Sequence, residues 1–445
     1  MNENKMLMTE GVVWKKLVLF AIPLLLGNLF QQLYSAVDSL VVGNFCGNEA
    51  LAAVSSSGSL QHLLIGLFQG TFIGASVIIS KRFGAKDMEG VDHAVHTIVV
   101  FAVAAGVILS IFGVWFTPSI LRWIKTPDSV MDSSVSYFRI YCVGLLAMVL
   151  YNTSNGIFNA LGDSRHPLIY LIVSSVTNVV LDLLFVGVFD MGVAGAAWAT
   201  TMAQVFSAAL GFAHLMSGRF VIQIKLSKLH VDLNLLKQVL QIGLPSGVQN
   251  SVNAIANLVV QSNINKFGDL AMGGCGSYSK IQGFVFLPIM SMAMALTTFV
   301  GQNLGADKPE RIKKAIWQGS SISIIMSELF GVFVYVFAPQ LVGLFTHDPA
   351  VIAYGVQQAR IESLFFFLLA TTHVCAGILR GAGKTMIPMA VTLGAWCALR
   401  ISYIEGLVRI IPDIRVVFTA YPVTWFVSSA LLIWAVKKEK SWQKT

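Results

Sequence analysis

The chain has 445 residues, 56% of them hydrophobic and only 12% charged, with a formal net charge of +8. Soluble domains average about 25% charged residues, so a mean hydropathy of +0.73 excludes an ordinary soluble enzyme and points to an all-α polytopic membrane protein. Five dispersed cysteines offer neither a disulfide framework nor a metal-ligand spacing.

The first 34 residues, "MNENKMLMTEGVVWKKLVLFAIPLLLGNLFQQLY", begin charged and turn apolar, as a secretory signal does. They lack a small-residue cleavage site, and the apolar run continues through Gln31 to Asp38, so they read as an uncleaved first span. Twelve stretches approach the ~20 residues that cross a ~30 Å hydrocarbon core. They are expected near 15–43, 52–79, 93–116, 134–158, 167–189, 192–216, 236–264, 274–300, 313–337, 352–379, 386–405 and 416–436.

Span 1 carries Asn28, Gln31, Ser35 and Asp38 at helical spacing, one polar stripe with Tyr34 beside it, and Gln31, Tyr34 and Ser35 are candidates to line a substrate cavity. Span 5 carries Ser174, Asn178 and Asp182 in the same way. An acid inside a membrane costs about 2.5–3.5 kcal/mol on insertion scales, so each needs a reason. Counting about 1.5 Å per residue from the outer ends places Asp38 about 8 Å deep and Asp182 about 10 Å deep. Two acids at one depth can share a site. Crowded together at low dielectric they favour uptake of a proton; with the Asn178 amide, a hydroxyl and carbonyls they can equally enclose Na⁺. The plain alternative is that each acid makes a helix-packing hydrogen bond.

Shifting the chain by 221 residues superposes landmarks: "RFGAKD" at 82–87 on "NLGADK" at 303–308, Pro118 on Pro339, Arg139 on Arg360, Gly162 on Gly383, and Pro167 on Pro388. Two six-span lobes are expected, 1–216 and 236–445, joined by a basic linker at 217–235. An even number of spans gives both lobes one orientation, related by a pseudo-two-fold axis along the membrane normal and bracketing a central cavity. The second lobe does not repeat the acids: Leu399 and Tyr403 stand where Asn178 and Asp182 stand in the first. Its first span has Asn250, Asn253, Asn257 and Gln261 on one face, either a cavity wall or interhelical glue. Glu328, Glu362 and Arg400 are further intramembrane charges. Arg400 is a counter-ion candidate for one of the two acids; Glu362 is expected to form a structural ion pair, while Glu328 is open as a secondary protonation or substrate site.

Roughly 21 of the 30 basic residues fall on one side of this arrangement and about five on the other. Both termini are therefore expected in the cytoplasm, and the charge sets topology; no nucleic-acid partner is expected. "RGAGKT" at 380–385 resembles the end of a phosphate loop but has Ile378 where that motif needs glycine. His93 and His96 have H-x-x-H spacing at a loop end and are read as a solvated face. His373 is read as packed or cavity-lining. No nucleophile set, cofactor or resident metal is expected, and the chain is not expected to be an enzyme.

"NLFQQLYSAVDSLVVGNFCGNEALAAV", "GASVIISKRFGAKD", "NALGDSRHP", "TNVVLDLLFVGVFDMGVAGAAWAT" and "GILRGAGKT" together resemble the multidrug and toxic compound extrusion (MATE) family. That family lies within the multidrug/oligosaccharidyl-lipid/polysaccharide flippase superfamily. The resemblance implies twelve helices in a V around a central cavity. It also implies a secondary active antiporter, exporting cationic or amphiphilic organic compounds in exchange for H⁺ or Na⁺ by alternating access. Its N-terminal cation site falls on Asp38, Asn178 and Asp182, with a span 6 threonine at Thr200 or, next to it, Thr201. In another branch the site uses acids of spans 7 and 10; here span 7 has amides and the span 10 position is Leu369. Small organic substrates and membrane lipids are the expected partners, and a monomer in a bacterial-type plasma membrane the expected form. A lipid-linked oligosaccharide or lipid-precursor flippase is the alternative, which needs a strongly cationic cavity.

Overall fold

The computed structural model describes residues 7–123 and 126–443, and their side chains except at positions 39, 44–65, 67 and 68. Every regular element among the described residues is helical: α1 (Val13–Gly84), α2 (Met88–Trp123), α3 (Asp128–Val143), α4 (Leu145–Ala160), α5 (Arg165–Asp182), α6 (Gly192–Met216), α7 (Leu233–Asn265), α8 (Asp269–Gly305), α9 (Pro309–Gly343), α10 (Pro349–Glu362), α11 (Phe366–Gly381), α12 (Met386–Thr392), α13 (Arg400–Ile410) and α14 (Ile414–Lys438). Wider π turns continue α5 over Leu183–Val188 and join α12 to α13 over Leu393–Leu399. Among the described residues nine helices are long and apolar enough to cross a membrane, ten if α3 and α4, bent by 46°, count as one span. The expected span 236–264 is helical as α7 but is not among them, because its row of amides makes it the more polar element. The expected span 52–79 falls largely outside the described side chains.

The chain divides into two compact units, one of Met1–Leu7 with Leu26–Gln241 and the other of Met8–Leu25 with Ile242–Thr445. The first turns of span 1 thus belong with the second unit. Met8 N–H donates to Gln302 Oε1 at 2.8 Å, and Arg311 reaches the Met8 and Gly11 carbonyls at 3.0 and 2.8 Å. Val13, Leu17, Phe20 and Leu24 share one apolar core with Leu296, Phe299, Ile312, Leu379 and Leu432. Within the first unit the linker is held by side chains of α2. Lys225 N–H donates to His96 Nε2 at 3.1 Å and Asp232 N–H to Thr97 Oγ1 at 3.2 Å. His96 is therefore wholly buried rather than solvated, because the linker folds over the face that the sequence leaves open; His93 remains exposed.

Internal duplication reaches the backbone. Lys86 (φ 59°) and Asp307 (φ 52°) both adopt the left-handed conformation, as do Gly162 (φ 87°) and Gly383 (φ 79°); non-glycine residues rarely do so, and each pair is one repeat apart. Spans 4 and 10 also break at equivalent places, at Gly144 between α3 and α4, and at the 3₁₀ turn Ser363–Phe365 between α10 and α11. A broken helix frees backbone N–H groups that must find acceptors. Leu146 N–H donates to Ser110 Oγ at 3.2 Å, and Phe367 N–H, its repeat equivalent, donates to Glu328 Oε2 at 3.3 Å. Glu328 thus caps an internal helix start.

Candidate functional site

Three helices of the first unit assemble a polar cluster. Span 1 contributes Tyr34 and Asp38, α5 contributes Ser174, Asn178 and Asp182, and α6 contributes Thr200. Four-residue spacing on α5 puts Ser174, Asn178 and Asp182 on one face, and all three are buried. Ser174 Oγ ties that face to α6 by donating to the Ala203 carbonyl at 2.8 Å. Asp182 is the last residue before the helix widens into its π turn; such turns are frequent at functional sites.

Thr200 Oγ1 accepts from Tyr34 Oη at 3.3 Å and from Asn178 Nδ2 at 3.4 Å. Thr201 points elsewhere, donating to the Ile140 carbonyl at 3.4 Å and packing over Gly144, so the two adjacent threonines are separated by their contacts. The carboxyl groups of Asp38 and Asp182 approach within hydrogen-bonding reach of each other. Asp182 and Asn178 are 0% and 1% exposed. Both Asp182 oxygens, Asp38 Oδ1 and Asn178 Oδ1 are buried without a donor. Two ionised carboxylates in such a place repel each other, and each unmet buried acceptor carries a desolvation penalty of about 1–3 kcal/mol. A proton shared by the acids, or a small hard cation among the four oxygens, relieves both. The donor set suits either.

Beside this cluster lies a small cavity of about 20 Å³, lined by Gln31, Tyr34, Tyr151, Ser174, Asn178 and Gln204 among others, room for about one water molecule. Gln31 and Tyr34 were expected to line a cavity. Tyr151 and Gln204 were not, although Gln204 follows Thr200 by one helical turn and so shares its face. Ser35 donates to the Gln31 carbonyl at 3.0 Å. On α7, in the other unit, Asn250 and Asn253 are half-buried, Asn257 is exposed, and Gln261 Nε2 donates to Asn265 Oδ1 at 2.8 Å.

Equivalent positions of the second unit hold no such pair. Tyr403 Oη bonds Thr419 Oγ1 at 3.2 Å. Glu362 is wholly buried, accepting from Gln358 and Gln282 at 2.8 Å each and from Tyr278 Oη at 3.3 Å. Arg400 does not pair with it. Its guanidinium instead donates to Thr424 Oγ1 at 2.8 and 3.2 Å and lies 4.5 Å from the Tyr421 ring and 5.0 Å from that of Trp396. The expected ion pair with Arg400 does not form: neutral donors meet the acid and aromatic faces meet the base. His373 packs edge-on against Phe286 and Trp396 at 4.8 and 5.7 Å. Cys142, Cys275, Cys375 and Cys397 are free thiols, and Cys46 lies outside the described side chains.

Residues 23–184 and 245–404 each match the MatE family, one copy per repeat. The chain is similar to "Probable multidrug resistance protein YpnP" of Bacillus subtilis (strain 168), 29% identical over 88% of this chain and 88% of that protein. It is also similar to "Probable multidrug resistance protein YoeA" of the same organism, 29% identical over 94% and 92%. A solved structure described as "Outward-facing conformation of a multidrug resistance MATE family transporter of the MOP superfamily" is 25% identical, covers 97% of this chain and 98% of that one, and superposes with a TM-score of 0.90.

Proposed function

The chain belongs to the MatE family of membrane transporters, and from that premise we propose that it is a secondary active multidrug efflux antiporter. It exchanges cationic or amphiphilic organic compounds for H⁺ or Na⁺ across a bacterial plasma membrane, with both termini in the cytoplasm and two six-span lobes, 1–216 and 236–445, alternating access. The observation that carries the reading is the contact of Asp38 with Asp182 among buried oxygens that lack donors.

Cation entry from outside neutralises the two acids. Charge that held a cationic substrate is lost, and the substrate leaves. Release of the cation inside restores the negative pocket for the next substrate. Asn178 and Thr200 hold the acids in register, and Tyr34, bonded to Thr200, links them to the small cavity lined by Gln31 and Gln204. A flippase for lipid-linked pyrophosphate is less well served: the buried Arg400 is already occupied by Thr424, Trp396 and Tyr421. Ethidium movement into everted vesicles under separately imposed H⁺ and Na⁺ gradients tests the antiport. One of the two gradients is expected to drive uptake; transport that responds to neither removes the proposal.

A further inference from the structure

We propose that one end of the second unit is a docking surface for the headgroups of anionic phospholipids. Trp14, Trp317 and Trp434 are 44%, 73% and 59% exposed, and they stand at the start of α1, the start of α9 and the end of α14. Lys15, Lys314, Lys437, Lys438 and Lys440 on the same turns are also exposed. Lys438 Nζ lies 4.3 Å from the Trp434 ring and Lys15 Nζ 5.7 Å from that of Trp14. The inward faces of these turns are one piece: Val13, Leu17, Ile312, Ala315, Ala435, Val436 and Trp442 all belong to a single apolar core. Trp442, 4% exposed, anchors the chain end, so Lys437, Lys438 and Lys440 are held on the surface by a packed residue.

Not every cation here is spare. Lys308 donates to the Thr9 carbonyl at 3.0 Å, Arg311 to Met8 and Gly11, and Lys313 pairs with Glu310 at 3.0 Å. Glu439 accepts from Ser441, and Glu10 lies near Lys16 and Arg311. Lys15, Lys314, Lys437, Lys438 and Lys440 make a positive rim. Below it the same helices present exposed Ile325, Leu329, Phe330, Leu431 and Ile433. Tryptophan at the boundary between such an apolar face and a basic rim marks a lipid interface, and a juxtamembrane cluster of lysines attracts anionic headgroups. That continuity of basic rim, indole belt and apolar face favours a lipid over an acidic protein. Topology alone does not require the patch, because the repeat equivalents of Lys313, Lys314 and Trp317 are Asp92, His93 and the buried His96. The proposal needs only membrane insertion and not transport.

Native mass spectrometry of the full chain released from nanodiscs of equal phosphatidylglycerol and phosphatidylcholine tests it. The wild type is expected to retain phosphatidylglycerol about threefold or more over phosphatidylcholine. The variant Lys314→Gln/Lys437→Gln/Lys438→Gln/Lys440→Gln is expected to bring that ratio close to unity. Lys266→Gln/Arg409→Gln, away from the patch, is expected to leave it unchanged. Should the fourfold variant not fold, Lys314→Gln/Lys437→Gln and Lys438→Gln/Lys440→Gln are each expected to lose part of the preference. A wild-type ratio near unity, a preference kept by the lysine variants, or equal loss in the control overturns the proposal.

Discussion

Asp182 is the residue on which the chemistry turns, because a membrane helix that keeps a wholly buried acid without a donor must recover the cost from another state. One charge moved across 100 mV is worth about 2.3 kcal/mol, close to a fifty-fold gradient. Asp38→Asn and Asp182→Asn are therefore each expected to cut ion-driven drug accumulation by about that order, with membrane insertion intact, as read by ethidium efflux and membrane-fraction blotting. Thr200→Val keeps the volume but removes the acceptor shared by Tyr34 and Asn178. A net hydrogen bond of about 1 kcal/mol corresponds to about fivefold weaker coupling-ion dependence, measured as the concentration giving half-maximal transport. Glu328 belongs to a different class. Its carboxylate caps Phe367 N–H, so Glu328→Gln is expected to be near neutral and Glu328→Leu to cost about 1–2 kcal/mol, seen as a lowered thermal unfolding midpoint in detergent with coupling unchanged in the surviving protein.

Among the elements, helix placement was legible from apolar runs, and most expected spans reappear as helices that extend a few residues beyond them. Their interruptions were not. Span 10 reads as one run at 352–379, yet it breaks at Ser363–Phe365. No proline marks the spot; the acceptor that makes the break tolerable sits on α9, far away in sequence. The π turn after Asp182 is likewise marked by no proline. Close helix contacts are equally invisible until packed. A Cβ on Gly377 of α11 would meet the Ala293 carbonyl oxygen of α8 at 2.4 Å, where small residues let backbones approach. Gly377→Ala is expected to destabilise the protein by about 1–3 kcal/mol, as overpacking does, and to lower folded yield by size-exclusion chromatography.

For the whole molecule, the duplication and the acidic pocket were readable because each violates an expectation of membrane sequences, through repeated turn residues and through charges in lipid-length helices. Tyr151 and Gln204 escaped because neutral side chains at mid-span carry no such penalty. The allegiance of Met8–Leu25 to the second unit also escaped, being written in tertiary hydrogen bonds. Arg311 makes two of them, to Met8 and Gly11, and is itself braced by Asn303. Bonds to a charged group are worth about 1.5–3 kcal/mol, so Arg311→Gln is expected to speed amide exchange over residues 8–16 by about tenfold or more.

The central claim is that binding a cationic drug and binding the coupling ion are exclusive events at Asp38 and Asp182. Titrating purified protein with ethidium in weakly buffered solution, while following both pH and free Na⁺, measures that exchange directly. Release of about one H⁺ or Na⁺ per ethidium bound is predicted for the wild type, falling to none in Asp38→Asn/Asp182→Asn. Ethidium binding to the wild type with no cation released, or an undiminished release from the double variant, would contradict it.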